Sequence, residues 1–163
     1  MEKRYLLNEN VLFYRGSILD GIIDIERKMD DYLSSYFCST LIKKNQLNEL
    51  LFFTERISLD VKRQIFIKII PLDKPEFLKE NSRFLKKFEG LVPHRNIMAH
   101  LELFEIEELD DEKLKQCLVF KKYKDGKITP KVYDEKSLNQ IKNDIVYVHS
   151  RFLDLLQEVP ALV

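Results

Sequence analysis

Arginine, asparagine and histidine lie within six residues of one another in segment 95–100 of this chain. Arg95 carries a permanent positive charge and can neutralise a phosphate through two parallel hydrogen bonds. His100 carries the side chain that best exchanges a proton near neutral pH. Asn96 lies four residues before His100, so the two share a helix face and the amide is predicted to orient the imidazole. These residue types predict chemistry on a phosphodiester.

The spacing of the two charged residues constrains their surroundings. On a regular helix, residues five positions apart point about 140° away from each other. We therefore expect Arg95 either to lie in an irregular first turn after Pro93, which the proline favours, or to curl its long side chain around the helix. Cleaving RNA without a metal requires a base, a cation and an acid, and one Arg95 with one His100 supplies only part of that set. A two-fold dimer would supply the remainder, which predicts a homodimer with a shared cleft.

Composition and charge bound the class of protein. The 163 residues predict a single domain spanning 1–163. Lys and Arg total 27, as do Asp and Glu, so RNA contact must be local rather than driven by net charge. Segment 1–10 is charged, and no apolar run is long enough to span a bilayer. These features predict a cytoplasmic protein with reduced cysteines, and no zinc-like spacing or cofactor motif is present.

Helical periodicity dominates the chain as far as residue 104. The first helix is predicted over 11–37, with its start between Asn8 and Ser17 because Gly16 and Gly21 weaken its first turns. A second helical stretch is predicted over 41–54. Further helices are predicted after an N-cap at Ser58 and from Pro75, with a short one restarting at Pro93 and running towards Phe104.

The ends and the buried positions of two of these helices are also predicted. The helix after Ser58 is predicted to end at Pro71, and the helix from Pro75 is predicted to break at Gly90 and Pro93. The predicted buried positions are Val61, Ile65 and Ile69 in the first of these and Phe77, Phe84, Phe88 and Leu91 in the second.

The pattern changes near residues 118–133. Asp125-Gly126 separates two runs rich in β-branched and aromatic residues, which predicts a β-hairpin, and Pro130 confines its strand to an edge or a bulge. Asp134 or Ser137 is predicted to cap a last helix whose apolar face is Leu138, Ile141, Ile145, Val148, Phe152 and Leu155. The predicted fold class is all-α, a helical bundle with a small peripheral hairpin.

Segment 95–100 also resembles the signature of the HEPN superfamily, in which Arg is followed after four to six residues by His, commonly with Asn directly after Arg. The resemblance implies a HEPN-like bundle and a metal-independent endoribonuclease. It implies Arg95 and His100 as the catalytic pair and Asn96 as the residue that orients them. It also implies RNA as substrate, a homodimer, and a place in a toxin–antitoxin or phage-defence system with an antitoxin or other partner protein.

Two alternatives come from the same residues. Glu102 stands where several toxin families of this superfamily have tyrosine, and a negative charge beside a phosphate is unfavourable. This favours a non-catalytic HEPN-like interaction module that binds a partner protein or a nucleotide. A helical adaptor without a site is the second alternative.

Other basic and aromatic residues are weaker candidates for contact with RNA. His94 adjoins Arg95, and Lys121, Lys122 and Tyr123 cluster on the hairpin, where an aromatic ring among basic residues could touch an RNA backbone. The simpler expectation is a packed His94 and a solvated hairpin. Lys62 and Arg63 are expected on an exposed helix face, with the alternative that they line a cleft.

Overall fold

The computed structural model describes residues 2–54, 56–104 and 117–159. The described elements follow one another as α1 (Glu2–Phe37), α2 (Leu41–Leu47), a π-helical turn (Asn48–Phe52), α3 (Leu59–Asp73), α4 (Pro75–Glu80), α5 (Phe84–His100), β1 (Glu102–Leu103), β2 (Leu118–Lys124), β3 (Lys127–Tyr133) and α6 (Glu135–Gln157). The chain is therefore mostly helical with one small antiparallel sheet, as predicted.

The two longest helices, α1 and α6, pack along each other. α1 begins at Glu2, so the predicted start between Asn8 and Ser17 is wrong. Gly21 is present for a packing reason: a Cβ there would lie 2.8 Å from Cγ2 of Ile145 on α6. The glycine weakens the isolated helix but lets the two helices approach, and their packing outweighs its low propensity.

An aromatic cluster fixes α5 in the bundle. The ring of Phe152 on α6 lies 5.1 Å from Phe84 and 5.5 Å from Phe88 on α5, and 5.2 Å from Phe66 on α3. All four side chains are buried. Buried aromatic pairs at these separations add specific contact energy to a large burial term, so α5 is held on two sides.

α3 turns a different face to the core from the one predicted. Its buried residues are Leu59, Lys62, Phe66 and Ile70, whereas Val61 is exposed and Ile65 and Ile69 are only partly buried. The apolar pattern gives no reason to turn a lysine inward. The helix also continues through Pro71 to Asp73, and the Lys74 amide closes its last turn on the Ile70 carbonyl. The predicted end at Pro71 is therefore wrong.

α5 is continuous where a break was predicted. It runs from Phe84 to His100 through Gly90 and Pro93. Glycine and proline disfavour a helix interior by about 1 and 3 kcal/mol, but burial of the apolar side chains of α5 outweighs that cost. Residues 102–103 are a β-strand, so the predicted helix towards Phe104 is also wrong. A turn at 81–83 separates α4 from α5, whereas one helix was predicted.

The hairpin and the last helix agree with the predictions. β2 and β3 pair in antiparallel fashion, and Asp125 and Gly126 both have positive φ, as a type I′ turn requires. Pro130 lies on β3 at the edge of the sheet, whose order is β1-β2-β3. Asp134 caps α6 by accepting a hydrogen bond from the Ser137 amide. β1, paired to β2, was not predicted and connects the end of α5 to the hairpin.

Candidate functional site

Arg95 and His100 meet at the C-terminal end of α5. Nη1 of Arg95 lies 3.2 Å from Nε2 of His100 and 3.5 Å from Oδ1 of Asn96. The helix is regular here, so the first of the two expected arrangements, an irregular turn after Pro93, is wrong and the second is present. The long arginine side chain reaches around the helix instead, and it brings the three residues together.

The Arg95–His100 contact fixes the state of the imidazole. A guanidinium only donates hydrogen bonds, so Nε2 of His100 must accept. Acceptance leaves the proton of the neutral ring on Nδ1. In this arrangement His100 has the lone pair that a general base needs, and that lone pair faces a cation.

Asn96 has a different partner from the one predicted. Its Oδ1 accepts from Arg95, and no hydrogen bond joins Asn96 to His100, although the structure describes both residues. The amide therefore holds the guanidinium rather than the imidazole. The orienting effect on His100 comes from Arg95 itself.

The site is open to solvent. Asn96 and His100 are exposed and Arg95 is half-buried. A helix C-terminus has a partial negative charge, which does not attract a phosphate. Any anion bound here must therefore be held by side chains, and Arg95 is the cation already placed beside His100.

Arg15 on α1 supports this end of α5. Its Nε donates to the Met98 carbonyl at 2.6 Å, and its guanidinium lies 6.0 Å from the centre of the Phe120 ring. The Met98 carbonyl is among the last carbonyls of α5, which lack partners within the helix. Sequence reasoning missed Arg15. The available signal was a charged residue three positions before Ile18, in line with the buried stripe of α1.

Glu102 follows the helix directly and has a partner of its own. Its Oε1 lies 2.8 Å from Nζ of Lys121, the residue opposite it in the β1–β2 pair. The ammonium of Lys121 also lies 5.4 Å from the centre of the Phe104 ring. The ion pair offsets the negative charge that Glu102 places near the motif, and it engages one of the predicted RNA contacts.

The other hairpin candidates lie farther along β2. Lys122 and Tyr123 are exposed, near the turn at Asp125 and Gly126. Successive side chains on a strand point to opposite faces of the sheet, so Lys121 and Tyr123 share one face and Lys122 lies on the other. The structure therefore does not bring the three into one cluster.

His94 lies apart from the Arg95–His100 pair. Its Nδ1 lies 3.0 Å from Oη of Tyr133, a hydrogen bond that ties α5 to β3. Burial lowers the pKa of His94 below its ordinary value, Lys131 lowers it further, and Asp144 partly opposes both. Burial also raises the pKa of Tyr133, to about 12. His94 thus has a structural partner and stays neutral near pH 7.

A cavity of about 400 Å³ lies beside His94 along α5. Arg83, Lys86 and Lys87 line it, and Lys87 forms an ion pair with Asp144 of α6. These cations follow α5 away from Arg95, so they extend the positive charge of the helix without joining the pair itself.

Compared with protein-family models, curated proteins and solved structures, the chain matches none. Within the described residues, no helix is both long and apolar enough to span a membrane. The same residues contain no group of three or more His, Cys, Asp or Glu side chains that could hold a metal ion.

Proposed function

We propose that this chain is a metal-independent endoribonuclease of HEPN type, in which Arg95 and His100 cleave the RNA backbone. The observation that carries the proposal is the 3.2 Å contact between the guanidinium and the imidazole at an exposed helix end. A permanent cation and an imidazole base within reach of one phosphodiester are two of the three groups that cleavage by the 2′-hydroxyl requires, the third being an acid.

The geometry supports a sequence of events. An incoming phosphate draws the guanidinium of Arg95 to itself, because two charge-assisted hydrogen bonds outweigh one to a neutral ring. Nε2 of His100 is then free to take the proton of the 2′-hydroxyl. The 2′-oxygen bonds to phosphorus, Arg95 stabilises the charge on the phosphorane, and the bond to the 5′-oxygen breaks. The products are a 2′,3′-cyclic phosphate and a 5′-hydroxyl.

The leaving 5′-oxygen requires a proton, and its proposed source is a second copy of His100 in the protonated form, in which Nε2 donates and no longer accepts from Arg95. Support for a homodimer comes from Leu12 and Phe13 on α1, which are 64% and 68% exposed. They lie within one turn of Arg15, which contacts the end of α5. Exposed apolar side chains beside an incomplete site favour a self-complementary interface there.

A second candidate is a non-catalytic interaction module. Support comes from α2 and the turn after it, because α2 has no buried residue. Ile42 is 71% exposed, and Leu41, Leu50 and Phe53 are also exposed. An apolar surface of this kind is typical of a protein-binding face. It also suits the endoribonuclease with an antitoxin-like partner in a defence system, which is the setting that the HEPN resemblance implies.

Cleavage of end-labelled RNA in excess EDTA tests the proposal. We expect the unmodified protein to cleave and to leave 2′,3′-cyclic phosphate ends. We expect Arg95→Ala and His100→Ala each to reduce the rate by about 10²-fold or more, because each removes a group that acts in the transition state.

Matched controls separate chemistry from folding. Arg83→Ala removes an exposed arginine that directly precedes α5, and His149→Ala removes the histidine that pairs with Asp24. Both are expected to retain cleavage within a few-fold. Absence of cleavage by the unmodified protein, or equal cleavage by all five proteins, would contradict the endoribonuclease and favour the interaction module.

A further inference from the structure

A buried ionic cluster joins α1, α3 and the π-helical turn. Nζ of Lys62 lies 2.9 Å from Asp30, 3.0 Å from Glu26 and 2.6 Å from the Phe52 carbonyl. Lys62 and Asp30 are each only 2% exposed. All three ammonium donors of Lys62 are therefore used, and the lysine has no donor left for another group.

The charges in this cluster do not balance. Above the pKa of Asp30, which burial raises to about 7, one ammonium faces two carboxylates, and Oδ1 of Asp30 accepts no hydrogen bond from any described residue. A buried acceptor without a partner raises the free energy of the folded state by about 1–3 kcal/mol. Such an acceptor in a native fold indicates a missing donor, which a ligand can supply.

Asp30 and Lys62 line a cavity of about 570 Å³, within the range typical of small-molecule sites. Ile23 and Phe53 form apolar walls. Arg27 also lines the cavity and forms no hydrogen bond or ion pair with a described residue. The cavity therefore combines an unpaired anionic acceptor, an unpaired cation and apolar surface.

The apolar, cationic and anionic side chains that α1 contributes to the cavity follow one another along the helix. Ile23, Arg27 and Asp30 occupy successive turns, and residues three or four apart on a helix have Cβ atoms about 5–6 Å apart. The cavity is also remote from the proposed catalytic pair. Arg15 marks the end of α5, and Asp30 lies 15 residues farther along α1, a rise of about 22 Å.

We propose that this cavity binds a free α-amino acid with an apolar side chain. The ammonium of the ligand donates to Asp30, whose Oδ1 lacks a donor, and the ligand carboxylate pairs with Arg27. The apolar side chain packs against Ile23 and Phe53. A simple cation is disfavoured by Lys62 and Arg27, and a simple anion by Asp30 and Glu26. A zwitterion balances every charge in the cavity.

Isothermal titration calorimetry of the full chain tests the proposal, with leucine, isoleucine, valine, methionine and phenylalanine as probes. We expect at least one to bind with a Kd below 1 mM, and the amine and the carboxylic acid that each carry its side chain to bind at least tenfold more weakly. If none of the five amino acids binds, the cavity holds water only and the proposal is wrong.

Variants assign the binding to this cavity. Arg27→Gln alters a cavity-lining residue outside the buried ion cluster and is expected to fold normally and weaken binding at least tenfold. Asp30→Asn is expected to weaken binding similarly, with circular dichroism to verify folding. Lys28→Gln removes a neighbouring cation that pairs with Asp24 instead, and it is expected to bind normally. Equal binding by Arg27→Gln and the unmodified protein would overturn the assignment.

The proposals of an amino-acid site and of an RNA site can be tested independently of each other. His100→Ala is expected to bind the amino acid with unchanged affinity, since the two sites are about 22 Å apart along α1. A loss of amino-acid binding in His100→Ala would contradict the placement of the ligand in the cavity.

Discussion

The exposed pair at the end of α5 and the buried cluster around Lys62 combine similar groups under opposite conditions. Arg95 and His100 are close in sequence and face solvent, so water satisfies whatever they leave unpaired. Lys62 and Asp30 are 32 residues apart in sequence and are almost completely excluded from solvent. The first arrangement leaves its groups free to act on a substrate, whereas the second commits them to the fold.

Of the changes in these two regions, replacement of Lys62 is expected to lower the free energy of unfolding the most. Replacing Lys62 with Ala leaves Asp30 and Glu26 without their shared cation, and removing one partner of a buried ion pair lowers the free energy of unfolding by about 3–5 kcal/mol. Urea denaturation followed by circular dichroism measures the change.

Arg63→Ala is the matched control on the same helix. Its partners Asp60 and Glu89 are about half exposed, unlike Asp30, so the expected loss is about 1 kcal/mol or less. Arg95→Ala is expected to change stability by no more than about 0.5 kcal/mol. If Lys62→Ala were as stable as Arg63→Ala, the buried cluster would contribute no more to stability than an ion pair near the surface, and the contrast between the two regions would be wrong.

Asp30 makes the buried cluster sensitive to pH. Burial raises the pKa of Asp30 from 3.8 to about 7, against the opposing effect of Lys62 and with smaller contributions from Glu26 and Asp31. The folded state then holds a proton that the unfolded chain has released between these pH values. Stability must fall as pH rises through that window, by at most about 1.4 kcal/mol per pH unit, and level off above the folded pKa.

The variant Asp30→Asn isolates this contribution, because asparagine does not titrate. We expect the stability of Asp30→Asn relative to the unmodified protein to increase from pH 4 to pH 8 in urea denaturation. A relative stability that decreased with pH would mean that Lys62 lowers the pKa of Asp30 instead.

Glu102 follows the Arg95–His100 pair in sequence, and its replacement is expected to have the smallest effect of these changes, on the rate of RNA cleavage. Glu102→Gln removes a negative charge two residues after His100, so RNA cleavage is expected to rise by a few-fold at low salt. Glu102 is the exposed partner of its ion pair with Lys121, so that pair contributes about 0.2–1 kcal/mol and stability should change little.

The control for Glu102→Gln is Glu76→Gln, which alters another exposed ion pair and should leave cleavage unchanged. A fall in cleavage on Glu102→Gln would indicate that the carboxylate takes part in the site.

The elements that could be predicted from sequence are those with local signals. Asp125-Gly126 requires positive φ at both positions and Asp134 caps a helix directly, so the hairpin and α6 follow from a few adjacent residues. The continuity of α5 through Pro93 could not be predicted in this way, because it depends on aromatic packing with α3 and α6.

The distinction between local signals and contacts distant in sequence also applies to the Arg95–His100 pair and the cluster around Lys62. The types and spacing of Arg95 and His100 are visible in six residues, and so are the two arrangements that could bring them together. The sequence does not decide between an irregular turn and an arginine side chain that curls around the helix. The inward position of Lys62 depends on carboxylates on α1, and its ion pairs cannot be inferred from periodicity on α3. Partners distant in sequence therefore account for what sequence reasoning missed in both regions.

The most direct test of the central proposal compares RNA with DNA of the same sequence in excess EDTA, with the unmodified protein beside His100→Ala. We predict that only RNA is cleaved, that only the unmodified protein cleaves it at an appreciable rate, and that the ends are 2′,3′-cyclic phosphates. Cleavage of both nucleic acids, or equal rates for the two proteins, would contradict a mechanism in which His100 takes the proton of the 2′-hydroxyl.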